Sequence, residues 1–171
     1  MKMRWFRVFP KGRSDSSWIP LSVLLLAMLP APVYAIAICS VSATGMAFGG
    51  YNFRDVTPTI AADNVQVSCS LLGLISLLVS YEIRLSTGNS GSYIPRIMTS
   101  GANQLQYNLY TNAAHTIVWG DANSGTSTIS DSYLLGIGTT VRNYSIYGRV
   151  PAGQNMPAGT YSDTITVTVN Y

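Results

Sequence analysis

The chain has 171 residues, with ten Lys or Arg against seven Asp or Glu, one His and two Cys, and only 10% of its residues are charged. Five of the cations (Lys2, Arg4, Arg7, Lys11 and Arg13) lie near the start, and from residue 36 onward five arginines face six carboxylates with no lysine. This balance gives no electrostatic support to nucleic-acid binding, excludes a phosphate loop built on a lysine, and leaves too few His and Cys ligands for a zinc site.

Residues 1–35 read as a secretory signal peptide. The basic start leads into an apolar stretch, Trp18 to Leu29, broken by Pro20 and Ser22, and then into Pro30-Ala31-Pro32-Val33-Tyr34-Ala35. Cleavage fits after Ala35 or after Ala37. A retained anchor would need a longer uninterrupted apolar run, and lipidation of Cys39 would need a small residue where Ile38 stands. Residues 36–171 then form one domain, long enough for a real core. Cys39 and Cys69 both fall in the exported part, where an oxidising compartment pairs them. Closing their loop stabilises by roughly 3–4 kcal/mol in the chain-entropy description.

In chain order the exported part is β-patterned almost throughout. Ala47–Phe53 is short and aromatic, with Gly49-Gly50 suggesting a bulge or close backbone approach. Val65, Val67 and Cys69 alternate with polar residues. So do Val79, Tyr81, Ile83 and Leu85, and after a turn at Thr87–Ser92, Leu105, Tyr107 and Leu109. Val118-Trp119-Gly120 precedes a polar loop, Asp121–Thr126. Val141–Val150 and Ser162–Tyr171 complete the set. In the last run Ile165, Val167, Val169 and Tyr171 share one face, opposite Thr164, Thr166, Thr168 and Asn170. Leu71–Val79 fits a short helix, a buried strand extension or an exposed apolar loop; burial in the core or in an interface is the reading taken. Many short strands joined by turns predict an all-β sandwich.

Catalytic constellations are missing. His115 sits in a polar segment, and a hydrolase triad would have to combine it with Asp121 or Asp131, without a Gly-x-Ser-x-Gly elbow. Glu82 and Asp121 as a glycosidase pair have nothing beyond their residue type to recommend them. Asn143-Tyr144-Ser145 matches a glycosylation sequon but falls within a predicted strand. Tyr107 with Tyr110, or Tyr144 with Tyr147, offers a sugar-stacking platform, against which packing is the preferred reading. The expectation is a protein that is not an enzyme and uses no cofactor or metal.

Several segments in this order resemble the spore coat protein U domain family, which includes the pilins of archaic, Csu-type chaperone–usher pili. They are Cys39–Ala43 with Phe48-Gly49, Val65–Cys69, Leu85-Ser86-Thr87-Gly88, Pro95-Arg96-Ile97-Met98, Leu105–Tyr110, Trp119-Gly120-Asp121, and Tyr147–Gln154 followed by Gly159–Tyr171. The resemblance implies an immunoglobulin-like β-sandwich that is incomplete and is completed by a donated strand. The groove for that strand would lie along Ile165, Val167, Val169 and Tyr171, and strand addition would fill it. The implied partners are a periplasmic pilus chaperone, an usher and neighbouring pilus subunits, with no nucleic acid and with membrane contact only during export. The implied location is the periplasm in transit, then the cell surface. Only Ile36-Ala37-Ile38 precedes Cys39, whereas a donor strand needs about eight to ten residues, so a minor or tip-located subunit is expected. The alternative is a self-standing secreted coat-like or carbohydrate-binding sandwich.

Overall fold

The computed structural model describes residues 36–72 and 76–171, together with the backbone of Arg4–Trp5. The expected signal peptide otherwise lies outside the described residues. Among the described residues ten strands run in chain order: β1 (Arg4–Trp5), β2 (Ile36–Ala43), β3 (Thr59–Leu72), β4 (Leu77–Leu85), β5 (Arg96–Ser100), β6 (Asn103–Tyr110), β7 (Ile129–Leu135), β8 (Gly138–Val150), β9 (Thr164–Ile165) and β10 (Val167–Asn170). A 3-10 turn, Gly88–Ser90, lies between β4 and β5. Five strands pair antiparallel in the order β2-β3-β8-β6-β5 and three more in the order β10-β4-β7. The two sheets share one core, so the fold is the all-β sandwich expected from the alternation.

Period-two patterning decides which residues enter that core. Val65, Val67, Cys69 and Leu71 point inward from β3, and Val79, Tyr81, Ile83 and Leu85 from β4. Leu105, Tyr107 and Leu109 do so from β6, and Ile146 and Val150 from β8. Trp119 closes one side, its indole N–H donating to the Ile83 carbonyl at 3.0 Å. Cys39 and Cys69 stand directly opposite each other in the β2–β3 register and form the disulfide.

Of the Leu71–Val79 segment, residues 73–75 lie outside the described residues, and the rest is only partly buried in the core, one of the two forms of burial expected of it. Leu71 continues β3 and is buried, and Val79 begins the inward row of β4, but Leu72 and Leu78 are 58% and 67% exposed. Each strand of a two-layer sandwich buries only one face, and by parity with the buried Leu71 and Val79 these two leucines sit on the other. Strands β2, β5 and β7 escaped the chain-order pattern reading. Outward Ile36 and Ile38, inward Arg96 and the serines of β7 each break a clean apolar alternation.

Candidate functional site at the C-terminal strand

Inward positions along the last stretch of chain are Tyr161, Asp163, Ile165, Val167 and Val169, all buried. Tyr171 keeps the parity of this row but lies past the end of β10 and is 50% exposed. The expected single strand over Ser162–Tyr171 is divided, because the segment changes sheets. Ser162 pairs with Thr99 of β5 through two backbone hydrogen bonds, of 2.9 and 3.0 Å. Four residues later Thr166 exchanges bonds with Ser86: its N–H donates to the Ser86 hydroxyl, and its carbonyl accepts from the Ser86 N–H, both at 2.9 Å. From Val167 onward the chain pairs with β4, Val167 opposite Leu85 and Asn170 opposite Glu82.

Between these two anchor points lies β9. Among the described residues its ladder partner is β1, in parallel register, with Arg4 opposite Thr164 and Trp5 opposite Ile165. The backbone edge of β9 therefore takes an added strand from outside both large sheets. Beyond it, β10 comes close to β2 without sharing a ladder. Each is the edge strand of its own sheet, and β2 is held to β3 by the disulfide.

A buried polar layer fixes the crossing. The Asp163 carboxylate accepts from the Tyr107 hydroxyl at 2.6 Å, from the Asn89 N–H at 2.8 Å and from the Thr164 N–H at 2.7 Å. Gly88 makes this fit possible. Its φ is +72°, and a Cβ there would stand 2.1 Å from Asp163 Oδ2. Nearby, the fully buried Arg96 donates from Nη1 to Asn108 Oδ1 at 2.8 Å and from Nη2 to the carbonyls of Ser86 at 2.9 Å and Trp119 at 2.7 Å. Its guanidinium stacks over the Tyr93 ring at 5.0 Å. Burial lowers the Arg96 pKa, and burial beside the Asp163 carboxylate raises that of the Tyr107 hydroxyl. Charge-assisted bonds to three carbonyl oxygens are what allow an arginine to sit here at all.

The other residues singled out in the sequence do not form a common site. The His115 ring lies edge-on to Tyr110 and Tyr147, with centroids at 5.3 and 6.3 Å. Asp121 accepts from Asn123, and Asp131 accepts from the Tyr144 hydroxyl at 2.5 Å, so each carboxylate has its own local partner. Glu82 accepts from the Thr128 hydroxyl at 2.6 Å and from Arg84, and these bonds hold its carboxyl below the usual range. Tyr107 and Tyr144 are committed to interior hydrogen bonds and do not present a stacking platform. In the sequon, the side chain of Asn143 accepts from Gln66 across the β3–β8 ladder at 3.1 Å.

The pattern reading passed over Asp163 and Arg96. Parity with Ile165 and Val167 already placed Asp163 on the inner face, and Arg96 was named only through the family resemblance.

Comparisons with known proteins follow the same lines. A family model described as "Spore Coat Protein U domain" matches residues 26–168. A protein named "Protein U" from Myxococcus xanthus is 31% identical over 131 residues, covering 72% of this chain and 70% of the relative. Among solved structures, a chain of the CsuC–CsuE chaperone–tip adhesion subunit pre-assembly complex, from the archaic chaperone–usher Csu pili of Acinetobacter baumannii, aligns over 80% of this chain. Its identity is 23% and its TM-score 0.49, and this chain spans 40% of that one.

Proposed function

The chain belongs to the Spore Coat Protein U domain family, and from that premise we propose that it is a structural subunit of a chaperone–usher surface pilus that accepts a donated strand beside its C-terminal strand. The observation that carries this reading is the edge of β9. It lies where the last segment leaves one sheet and has not yet joined the other, and it pairs with a strand from the N-terminal backbone. Ile165, Val167, Val169 and Tyr171 would line the groove, with β10 on one side and the disulfide-held β2 on the other. Strand addition at such an edge takes its affinity from the backbone and its selectivity from alternate side chains. The partners in this reading are a periplasmic chaperone, an usher and neighbouring subunits.

Residues 36–43 already form β2 and pair with β3 from Ile36 onward. If the leader ends at Ala35, nothing N-terminal to β2 is left to donate, which supports a minor or tip position. Export of residues 36–171 and display on the cell surface complete the reading. The test is co-purification from periplasm with a co-expressed candidate chaperone. Wild-type protein and an outward control, Thr168→Ser, should retain the chaperone, whereas Val167→Asp should lose it. Retention by Val167→Asp, with the Cys39–Cys69 disulfide formed, would show that this edge is not the docking site. A wild-type chain that accumulates as a stable monomer without any chaperone would favour the self-standing coat-like alternative.

A further inference from the structure

A cavity of about 570 Å³ opens where the segment after β2 meets the loop before β9. Tyr51 and Phe53 line it from the first segment, Met156 and Pro157 from the second, and the buried Leu105 and Tyr161 complete the lining. Among the described residues no charged one lines it, and its size is that of a small-ligand site. The loop walls are held by the protein itself. The Tyr51 hydroxyl donates to the Pro151 carbonyl at 3.1 Å and accepts from the Gln154 N–H at 2.7 Å, and the Tyr161 hydroxyl donates to the Pro157 carbonyl at 2.9 Å. Gly50 keeps the space open. Its φ lies outside the left-handed region, and a Cβ added there would meet nothing within 4 Å. Neither backbone conformation nor packing requires a glycine at this position, and bare backbone beside a cavity suits the close approach of a ligand.

A second cavity, of about 680 Å³, adjoins the first and shares the Met156-Pro157 wall with it. It too is lined without charge among the described residues, and it gathers the side-chain amides of Asn103, Gln104, Gln106, Gln154 and Asn155. The Gln154 amide is spent on the protein. Its Oε1 accepts from the Gln106 N–H at 2.8 Å, and its Nε2 donates to the Gln106 carbonyl at 2.9 Å. Both backbone groups that an added strand would pair with at Gln106 are therefore taken, which excludes a peptide strand and leaves recognition to side chains. Gln104, Gln106 and Asn155 are exposed, and their amides have no partner among the described residues. Each amide offers donors and an acceptor in one plane. Aromatic rings in one cavity, amides in the next and charge in neither select a ligand with apolar faces, with neutral groups that both donate and accept, and long enough to reach both. Sugar rings joined in a chain have these properties: a C–H face packs on an aromatic ring, and hydroxyls pair with amides. We propose that the two cavities bind a neutral polysaccharide, with a ring against Tyr51 and Phe53 and hydroxyls on Gln104, Gln106 and Asn155. The site does not depend on strand acceptance, and its aromatic platform is neither of the tyrosine pairs that the sequence offered.

The test is affinity electrophoresis of the exported protein, together with its chaperone where it carries one, in native gels containing dextran, hydroxyethylcellulose or galactomannan, with alginate as the anionic counterpart. Retardation by at least one of the neutral polymers is expected. Gly50→Leu should abolish it with an unchanged thermal midpoint, because the new side chain enters space that no protein atom occupies at its Cβ. The double variant Gln104→Ala/Gln106→Ala should weaken it by about fivefold or more, again without loss of stability, since both side chains lie outside the core. Mobility unaffected by every neutral polymer would overturn the proposal, as would full retardation of a folded Gly50→Leu. Unchanged retardation of the glutamine variant would overturn it too, whatever the stability of Gly50→Leu. Retardation confined to alginate would assign the binding to charge and overturn it as well.

Discussion

The two ends of β4 are opposites. At its far end, beyond Leu85, polar groups lie inside: Arg96, Asn108, Tyr107 and Asp163 are buried and saturated with hydrogen bonds. At its near end, Leu78 and its cross-strand neighbour Leu134 lie outside, against solvent. A sandwich stabilised only by burial would reverse both. The polar end is where the chain must change sheets, and hydrogen bonds, being directional, fix that crossing in a way that apolar packing cannot. The apolar end has no crossing to fix, and its exposed aliphatics contribute little to the folded state.

Substitutions at the two ends should therefore differ sharply. The largest effect is expected from Arg96→Ala. It leaves the Ser86 and Trp119 carbonyls without the Arg96 donor and Asn108 Oδ1 with only the Leu109 N–H, and should cost about 3–5 kcal/mol by chemical denaturation. A loss below about 1 kcal/mol would mean that the layer is not structural. Gly88→Ala follows, at about 2–3 kcal/mol. It forces an unfavourable φ and drives a methyl into the Asp163 carboxylate. If the cost of Gly88→Ala were unchanged in an Asp163→Ala background, where the carboxylate is gone, that clash would not be its source.

Tyr81, in the middle of β4, sharpens the comparison through pH. Burial is the largest cause of its pKa rise from 10.0 to about 12, partly offset by its 2.6 Å hydrogen bond with Tyr144. Because the folded-state value is the higher one, the associated stability is complete below about pH 10. It falls as the pH rises toward 12, by on the order of 2 kcal/mol. Unfolding midpoints measured across that range should drop in the wild type and flatten in part for Tyr81→Phe; Tyr93, Tyr107 and Tyr144, all also raised chiefly by burial, contribute to the remaining slope. The smallest effect is expected at the apolar end. Leu78→Ser should stay within about 0.5 kcal/mol, whereas Leu85→Ala on the same strand should cost about 2–5 kcal/mol. Equal costs at the two positions would collapse the distinction between the ends.

Much of the architecture was legible in the residues alone. Alternation over Val65–Cys69, Val79–Leu85, Leu105–Leu109 and the final run placed the inner faces correctly, since a strand's facing depends on its own period of two. The cysteine pair was legible too. Strands β2, β5 and β7 were not, because Arg96 inside and Ile36 outside contradict any rule read from one strand at a time. The inward row of Ile165, Val167 and Val169 could be read from parity. That an acid, Asp163, belongs to the same row could not be trusted until Tyr107 and the Asn89 N–H were brought to it from 56 and 74 residues away.

What the sequence by itself determined is the β character, the inner faces of the main strands and the cysteine pair, because alternation and composition are local properties. Tertiary structure decided the rest. It divided the terminal strand at Thr166 and set the β9 edge between two sheets. Each of these outcomes depends on where the opposing sheet begins and ends, and no stretch of a single strand carries that information.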